Sequence, residues 1–112
     1  MNNRIIVTGN FEKRYKKLKK KYRSLSADLA LFEKQLLHNP HLGTPLGKNT
    51  YKIRLAVKSK GKGKSGGMRI ISYVELDFFI ADTTNIYLLT IYDKSETDSI
   101  SKEDISKLIE LR

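Results

Sequence analysis

Residues 48–73 read KNTYKIRLAVKSKGKGKSGGMRIISY. Eight of these side chains are basic (Lys48, Lys52, Arg54, Lys58, Lys60, Lys62, Lys64 and Arg69) and none is acidic. No carboxylate occurs between Glu33 and Glu75. Tyr51, Ile53, Leu55 and Val57 alternate with Lys52, Arg54, Ala56 and Lys58, the period of a strand with one buried face. Four glycines in SKGKGKSGG, residues 59–67, then break the pattern, and an apolar run resumes at Met68. The stretch predicts a strand, a glycine-rich basic loop and a second strand. Dense positive charge on such a frame suits a polyphosphate backbone. Successive backbone N–H groups in the loop can also form an anion nest. The glycines lack the spacing of a Walker loop, and no helix is expected after them.

Toward the C-terminus, MRIISYVELDFFI (residues 68–80) predicts one long strand, or a strand bent near Glu75–Asp77. ADTTN (81–85) predicts a turn. IYLLTIY (86–92) predicts a last strand, with Tyr87, Leu89 and Ile91 on one face and Leu88, Thr90 and Tyr92 on the other. Ser101, with Asp104 three residues on, predicts the cap of a short final helix whose stripe is Ile105, Leu108 and Ile109. Toward the N-terminus, Arg4–Thr8 (RIIVT) predicts a first strand, ended by Gly9-Asn10, with Asn10 as a helix cap. Phe11, Tyr15, Leu18 and Tyr22 then fall on one helical face, and Leu25, Leu29, Phe32 and Leu36 repeat that spacing to about Leu37. The other face of the first helix is almost wholly lysine and arginine, either a solvated face or a second phosphate-contacting surface. HNPHLGTPLG (38–47) holds both prolines and predicts a loop. Its two histidines read as loop residues without a catalytic role.

The order is β-α-α-β-β-β-α. It predicts an α+β fold in a single domain, residues 1–112. An antiparallel sheet of about four strands carries two helices on one face. The opposite face is expected to be exposed and to collect Lys52, Arg54, Lys58, Arg69 and Tyr92.

A chain of 112 residues supports one modest core. Its 22 basic and 12 acidic residues give a formal charge of +10, which favours RNA, DNA or an acidic protein and makes phosphate binding salt-dependent. With no cysteine, disulfides and thiolate zinc sites are excluded. Two histidines are too few for a convincing metal site, and no metal or cofactor is expected. No apolar run reaches the length of a signal peptide or a membrane span, so a cytoplasmic protein is expected.

The residues also carry a resemblance. Tyr51-Lys52-Ile53-Arg54-Leu55 is similar to the Y-K-I-[KR]-L strand of RelE-type toxins. KIRLAVKSKGKGKSGGMRIISY, followed by IYLLTIYDKSE, resembles the HigB-like branch of the RelE/ParE superfamily, and HNPHLGTPLG fits that branch's N-P-x-x-G-x-x-[IL] pattern. The match covers roughly residues 10–110. The resemblance implies the toxin of a bacterial type II toxin–antitoxin pair, a metal-independent endoribonuclease that cuts mRNA in the ribosomal A site. It implies a partner antitoxin that often contains a helix-turn-helix DNA-binding domain. By position it carries over Lys52, Arg54, Arg69, Tyr92 and Lys94 as catalytic candidates. Ser95 stands where the RelE pattern has an arginine, and no tyrosine follows Tyr92. The alternatives are a gyrase poison of the ParE type and a non-catalytic RNA-binding module.

The chemistry of RNA cutting fits these residue types. The 2′-OH attacks the adjacent phosphate, so an enzyme must take a proton, stabilise added negative charge and return a proton. Arginine holds two phosphate oxygens and stays charged, which points to Arg54 and Arg69. A lysine crowded by cations can serve as base or acid, which points to Lys52 and Lys94. Tyr92 can donate a proton or stack on a base. Lys48, Lys58, Lys60, Lys62 and Lys64 are the candidate RNA-backbone contacts.

Overall fold

The computed structural model describes residues 2–60, 67–97 and 99–112. Strand β1 (Asn2–Val7) leads into helices α1 (Gly9–Lys21) and α2 (Leu25–His38). Strands β2 (Thr44–Gly47), β3 (Thr50–Leu55), β4 (Met68–Leu76) and β5 (Thr83–Asp93) follow, and helix α3 (Lys102–Glu110) ends the chain. The sheet has five strands in the order β1-β5-β4-β3-β2. Among the described residues no helix is long and apolar enough to cross a membrane.

The sheet is mixed, not antiparallel throughout: β1 runs parallel to β5, from Asn2 opposite Thr83 to Val7 opposite Leu88. Alternation within a strand fixes its two faces but does not name its neighbour. The crossover is the α1–α2 pair, which returns the chain to the far edge of the sheet. Thr8 makes the joint between β1 and α1. Its hydroxyl donates to the Leu88 carbonyl at 2.8 Å and accepts from the Phe11 N–H at 3.3 Å. Thr8, not Asn10, therefore caps α1, because its extended backbone aims the oxygen at the first turn.

The fifth strand, β2, lies where the prolines predicted only a loop. It is an edge strand, where Pro45 need not donate to a further ladder. Lys48 and Asn49 turn it into β3 with φ of +52° and +63°, the pair of left-handed residues that a two-residue hairpin requires. Gly43, at φ +106°, enters this hairpin where an added Cβ would stand 2.6 Å from the Lys52 carbonyl oxygen. Gly43→Ala is expected to cost about 2 kcal/mol. A urea titration would show it as a lower midpoint at unchanged slope.

The apolar stripes of both helices pack as the spacing predicts. Phe11, Leu25, Leu29, Phe32 and Leu36 cover Ile53, Leu55, Met68, Ile70, Ile86 and Leu88 in one core. Asp28 of α2 is buried, accepting from the Ser24 hydroxyl at 2.7 Å and the Lys58 N–H at 3.2 Å. That bond ties the segment leaving β3 to the start of α2, and so fixes one root of the basic loop. Strand β4 stops at Leu76 because Asp77 accepts the N–H groups of Phe79 and Ile80, each at 2.8 Å, and turns the chain. β5 begins at Thr83, three residues before the expected start.

The opposite face is largely covered, although Arg54 remains exposed on it. Ile105 of α3 is buried there with Ile71, Leu89 and Tyr92, and Leu108 and Ile109 pack against them. Ser101 caps α3 as the sequence predicts, its hydroxyl oxygen accepting from the Asp104 N–H at 3.1 Å. Arg112 fastens the other end, bonding both Glu75 carboxylate oxygens at 3.1 Å with its guanidinium 5.0 Å from the Tyr73 ring centre.

A bulge in β5 corrects the expected facing of its residues. Ile71 pairs with Thr90, but Ser72 pairs with Leu88, so Leu89 is the extra residue. Beyond it the parity inverts. Ile91 joins Ile86 and Leu88 under α1 and α2, and Tyr87, Leu89 and Tyr92 face α3.

Candidate functional site

Strands β3, β4 and β5 bring three of the candidate residues into one row. Arg54 is opposite Arg69, and Arg69 is opposite Tyr92. Directly opposed residues share a face, with Cβ atoms about 5 Å apart. The row lies one step from the strand ends, next to Leu55, Met68 and Asp93, where the basic loop begins. Lys52 is two residues further in on the same face, opposite Ile71 and half-buried. Two arginines facing each other across a ladder repel, so the row is a point of positive potential.

Burial sharpens that potential. Arg54 is exposed, whereas Arg69 is 4% exposed and Tyr92 3%. The guanidinium of Arg69 donates to the adjacent Met68 carbonyl at 3.2 Å, and no carboxylate among the described residues pairs with it. Burial pushes the Tyr92 phenol above its ordinary range, and the charge of Arg69 only partly offsets this. Tyr92 is therefore protonated at neutral pH and is suited to donate a proton rather than to take one.

The nearest buried carboxylate, Asp93, is committed elsewhere. Its side chain is fully buried and pairs with Lys60 Nζ at 3.1 Å. It also accepts from the Tyr22 hydroxyl at 3.0 Å, and from the Ser95 N–H and hydroxyl at 2.9 and 2.8 Å. Lys60 lies 5.5 Å over the Tyr22 ring as well. This expected RNA contact is thus bound into an internal ion pair, which leaves it poorly placed for phosphate.

The other candidates are spread around the row. Lys48 is exposed in the β2–β3 turn, and Lys58 is exposed in the short 3-10 turn after β3. Lys94 is half-buried in the turn that follows β5. Lys62 and Lys64 lie outside the described residues. The histidines stand apart from the row: His38 Nδ1 is 3.2 Å from the Lys34 carbonyl, and His41 meets the Tyr51 ring edge-on at 5.5 Å.

Sequence reading missed a groove beside Tyr92. It opens between the start of α1 and α3, with Asn10, Arg14 and Lys107 on its walls. Arg14 carried a signal, since it belongs to the basic face of the first helix. Asn10 and Lys107 carried none, because only the folded sheet brings the two chain ends together. No protein-family model matches the chain.

Proposed function

We propose that this protein is a ribosome-dependent mRNA endonuclease of the RelE/HigB-like toxin type, held in check by a cognate antitoxin protein. The observation that carries the reading is the row itself: a buried arginine with no carboxylate partner among the described residues, flanked by an exposed arginine and a protonated tyrosine. The buried guanidinium of Arg69 and the fork of Arg54 suit a phosphate whose charge rises during attack. The 2′-oxygen forms a bond to phosphorus, and the bond to the 5′-oxygen breaks. The products are a 2′,3′-cyclic phosphate and a 5′-hydroxyl. Tyr92 supplies the leaving oxygen with its proton, and Lys52 or Lys94 receives the proton of the 2′-OH. The charge is balanced by guanidinium groups, and the ribosome orients the 2′-OH for in-line attack. Lys48 and Lys58 contact the backbone on either side.

The burial of Arg69, and of Tyr92 beside Ile105 of α3, favours a second reading, RNA binding without cutting. A single experiment separates the two. The purified protein is added to a translating cell-free system programmed with a defined message, and cut positions are mapped. A second message carries 2′-O-methyl groups at the mapped nucleotides. The expected result is cutting of the first message, with cutting at least about 100-fold slower on the second. Retention of RNA without any cuts would instead establish the binding module, and equal cutting of both messages would exclude attack by the 2′-OH.

A further inference from the structure

Among the described residues three buried side-chain polar atoms have no hydrogen-bond partner: Asn10 Oδ1, Ser72 Oγ and Tyr92 Oη. Two of the three, Asn10 and Tyr92, belong to residues lining one groove. Buried polar groups are almost always satisfied, so two orphans on one groove point to a ligand that completes them. The groove encloses about 410 Å³ between α1, the end of β5 and α3, within the size range of small-molecule sites. Arg14 from α1 and Lys107 from α3 bring positive charge to its walls, Asp104 one carboxylate, and Leu108 an apolar surface. A smaller depression shares Arg14 and Tyr92 and continues along α1 to Lys17.

We propose that this groove binds a nucleotide, its base edge meeting Asn10 Oδ1 and Tyr92 Oη and its phosphate held by Arg14 and Lys107. A base edge offers N–H donors that the orphan amide oxygen and the orphan phenol oxygen can both accept, which leaves the Tyr92 proton for the leaving oxygen. Its flat faces suit the apolar wall, and a phosphate suits the paired cations. An aliphatic ligand would leave both polar atoms unsatisfied, and inorganic phosphate has no flat face for the apolar wall. The assignment of the natural source as a nucleotide of the message rests on the endonuclease reading. A free nucleotide has the same chemistry.

The test uses the purified full chain without ribosomes. Each of the four nucleoside monophosphates is titrated while backbone amide signals are followed by NMR, with a single-stranded tetranucleotide in parallel. At least one mononucleotide is expected to bind with one-to-one stoichiometry and to shift the amides of Asn10, Arg14, Thr97 and Lys107. Asn10→Ala, which keeps the charge, is expected to weaken that nucleotide about fivefold, and Arg14→Ala about tenfold. Lys19→Ala removes the same charge from the exposed part of α1 and is expected to change affinity less than about twofold. Thermal melts confirm that each variant is folded. Tighter binding of the tetranucleotide identifies an RNA chain as the source, and equal or weaker binding identifies the free nucleotide. The proposal is overturned if no mononucleotide shifts the groove amides, or if Lys19→Ala weakens binding as much as Arg14→Ala. Failure of the endonuclease reading looks different: message cuts are absent while nucleotide binding persists.

Discussion

Arg69→Met is expected to leave the protein more stable than the wild type and to reduce message cutting at least about 100-fold. Arg69 is 4% exposed, bonds one neighbouring carbonyl at 3.2 Å and stands opposite exposed Arg54. A charge taken out of water without a counterion is unfavourable, and an opposed arginine adds repulsion. Methionine matches the length of the arginine stem, fills irregular space and needs no partner. The gain is expected to be about 1 kcal/mol or more, read as a rise of about 4 °C in the melting midpoint. Arg69→Lys keeps the charge but loses the planar fork, so it is expected to cut at least about tenfold more slowly than the wild type. A lower midpoint for Arg69→Met would make Arg69 a structural residue, buried to hold the sheet and not to meet a phosphate.

The opposite behaviour is expected at Asp93, the neighbour of the row. Asp93→Ala removes the carboxylate paired with half-buried Lys60, and orphans the Tyr22 hydroxyl as well. Breaking such a pair from one side is expected to cost about 3–5 kcal/mol, measured by urea unfolding. The pH dependence follows from the same contacts. Burial pushes the Asp93 carboxyl up, but the Ser95 N–H and hydroxyl, Lys60 and Tyr22 together hold it below its ordinary value of 3.8. A depressed carboxylate contributes stability above its unfolded value, and that contribution is lost as pH falls through the lower folded value. The wild type should therefore lose stability more steeply below about pH 4 than Asp93→Asn does. Equal acid slopes for the two proteins would mean that ionised Asp93 adds nothing to stability.

Arg69 and Asp93 sit in adjacent rows and show how the sheet handles its charges. Met68 pairs with Asp93, and Arg69 pairs with Tyr92. In one row a buried carboxylate is fully matched, and in the next a buried guanidinium has no carboxylate match among the described residues. A fold selected for stability alone would match both.

Much of this frame is legible in the chain. The alternation from Tyr51 to Leu55 gave the face of β3 that packs under the helices, and the stripes of α1 and α2 were regular enough to place their buried residues. Ser101 announced α3 through its own spacing. Three features were hidden for physical reasons. The parallel pairing of β1 with β5 joins segments about eighty residues apart, and neither strand's pattern names the other. Strand β2 carries a proline, tolerated only because it is an edge. The bulge at Leu89 inverts facing, and the uninterrupted apolar run around it masks the change.

The candidate site was legible to a similar depth. Arg54 and Arg69 follow from strand parity, and the register adds Tyr92 as their neighbour. What periodicity could not supply was occupancy. Lys60 reads as one more loop lysine until Asp93, far along the chain, is found beneath it. The short final helix reads as an appendage until its stripe is found covering the row's own face. The groove at Asn10, Arg14 and Lys107 depends on both chain ends meeting at Tyr92, which only the closed sheet provides.

Primer extension decides whether the buried arginine serves message cutting. It is run on a translated message and on the same message lacking a start codon, after brief induction of the wild type and of Arg69→Met. Discrete cuts are expected on the translated message alone, lost in the variant. Growth arrest with intact messages, or cuts that persist in Arg69→Met, would contradict a nuclease built on Arg69.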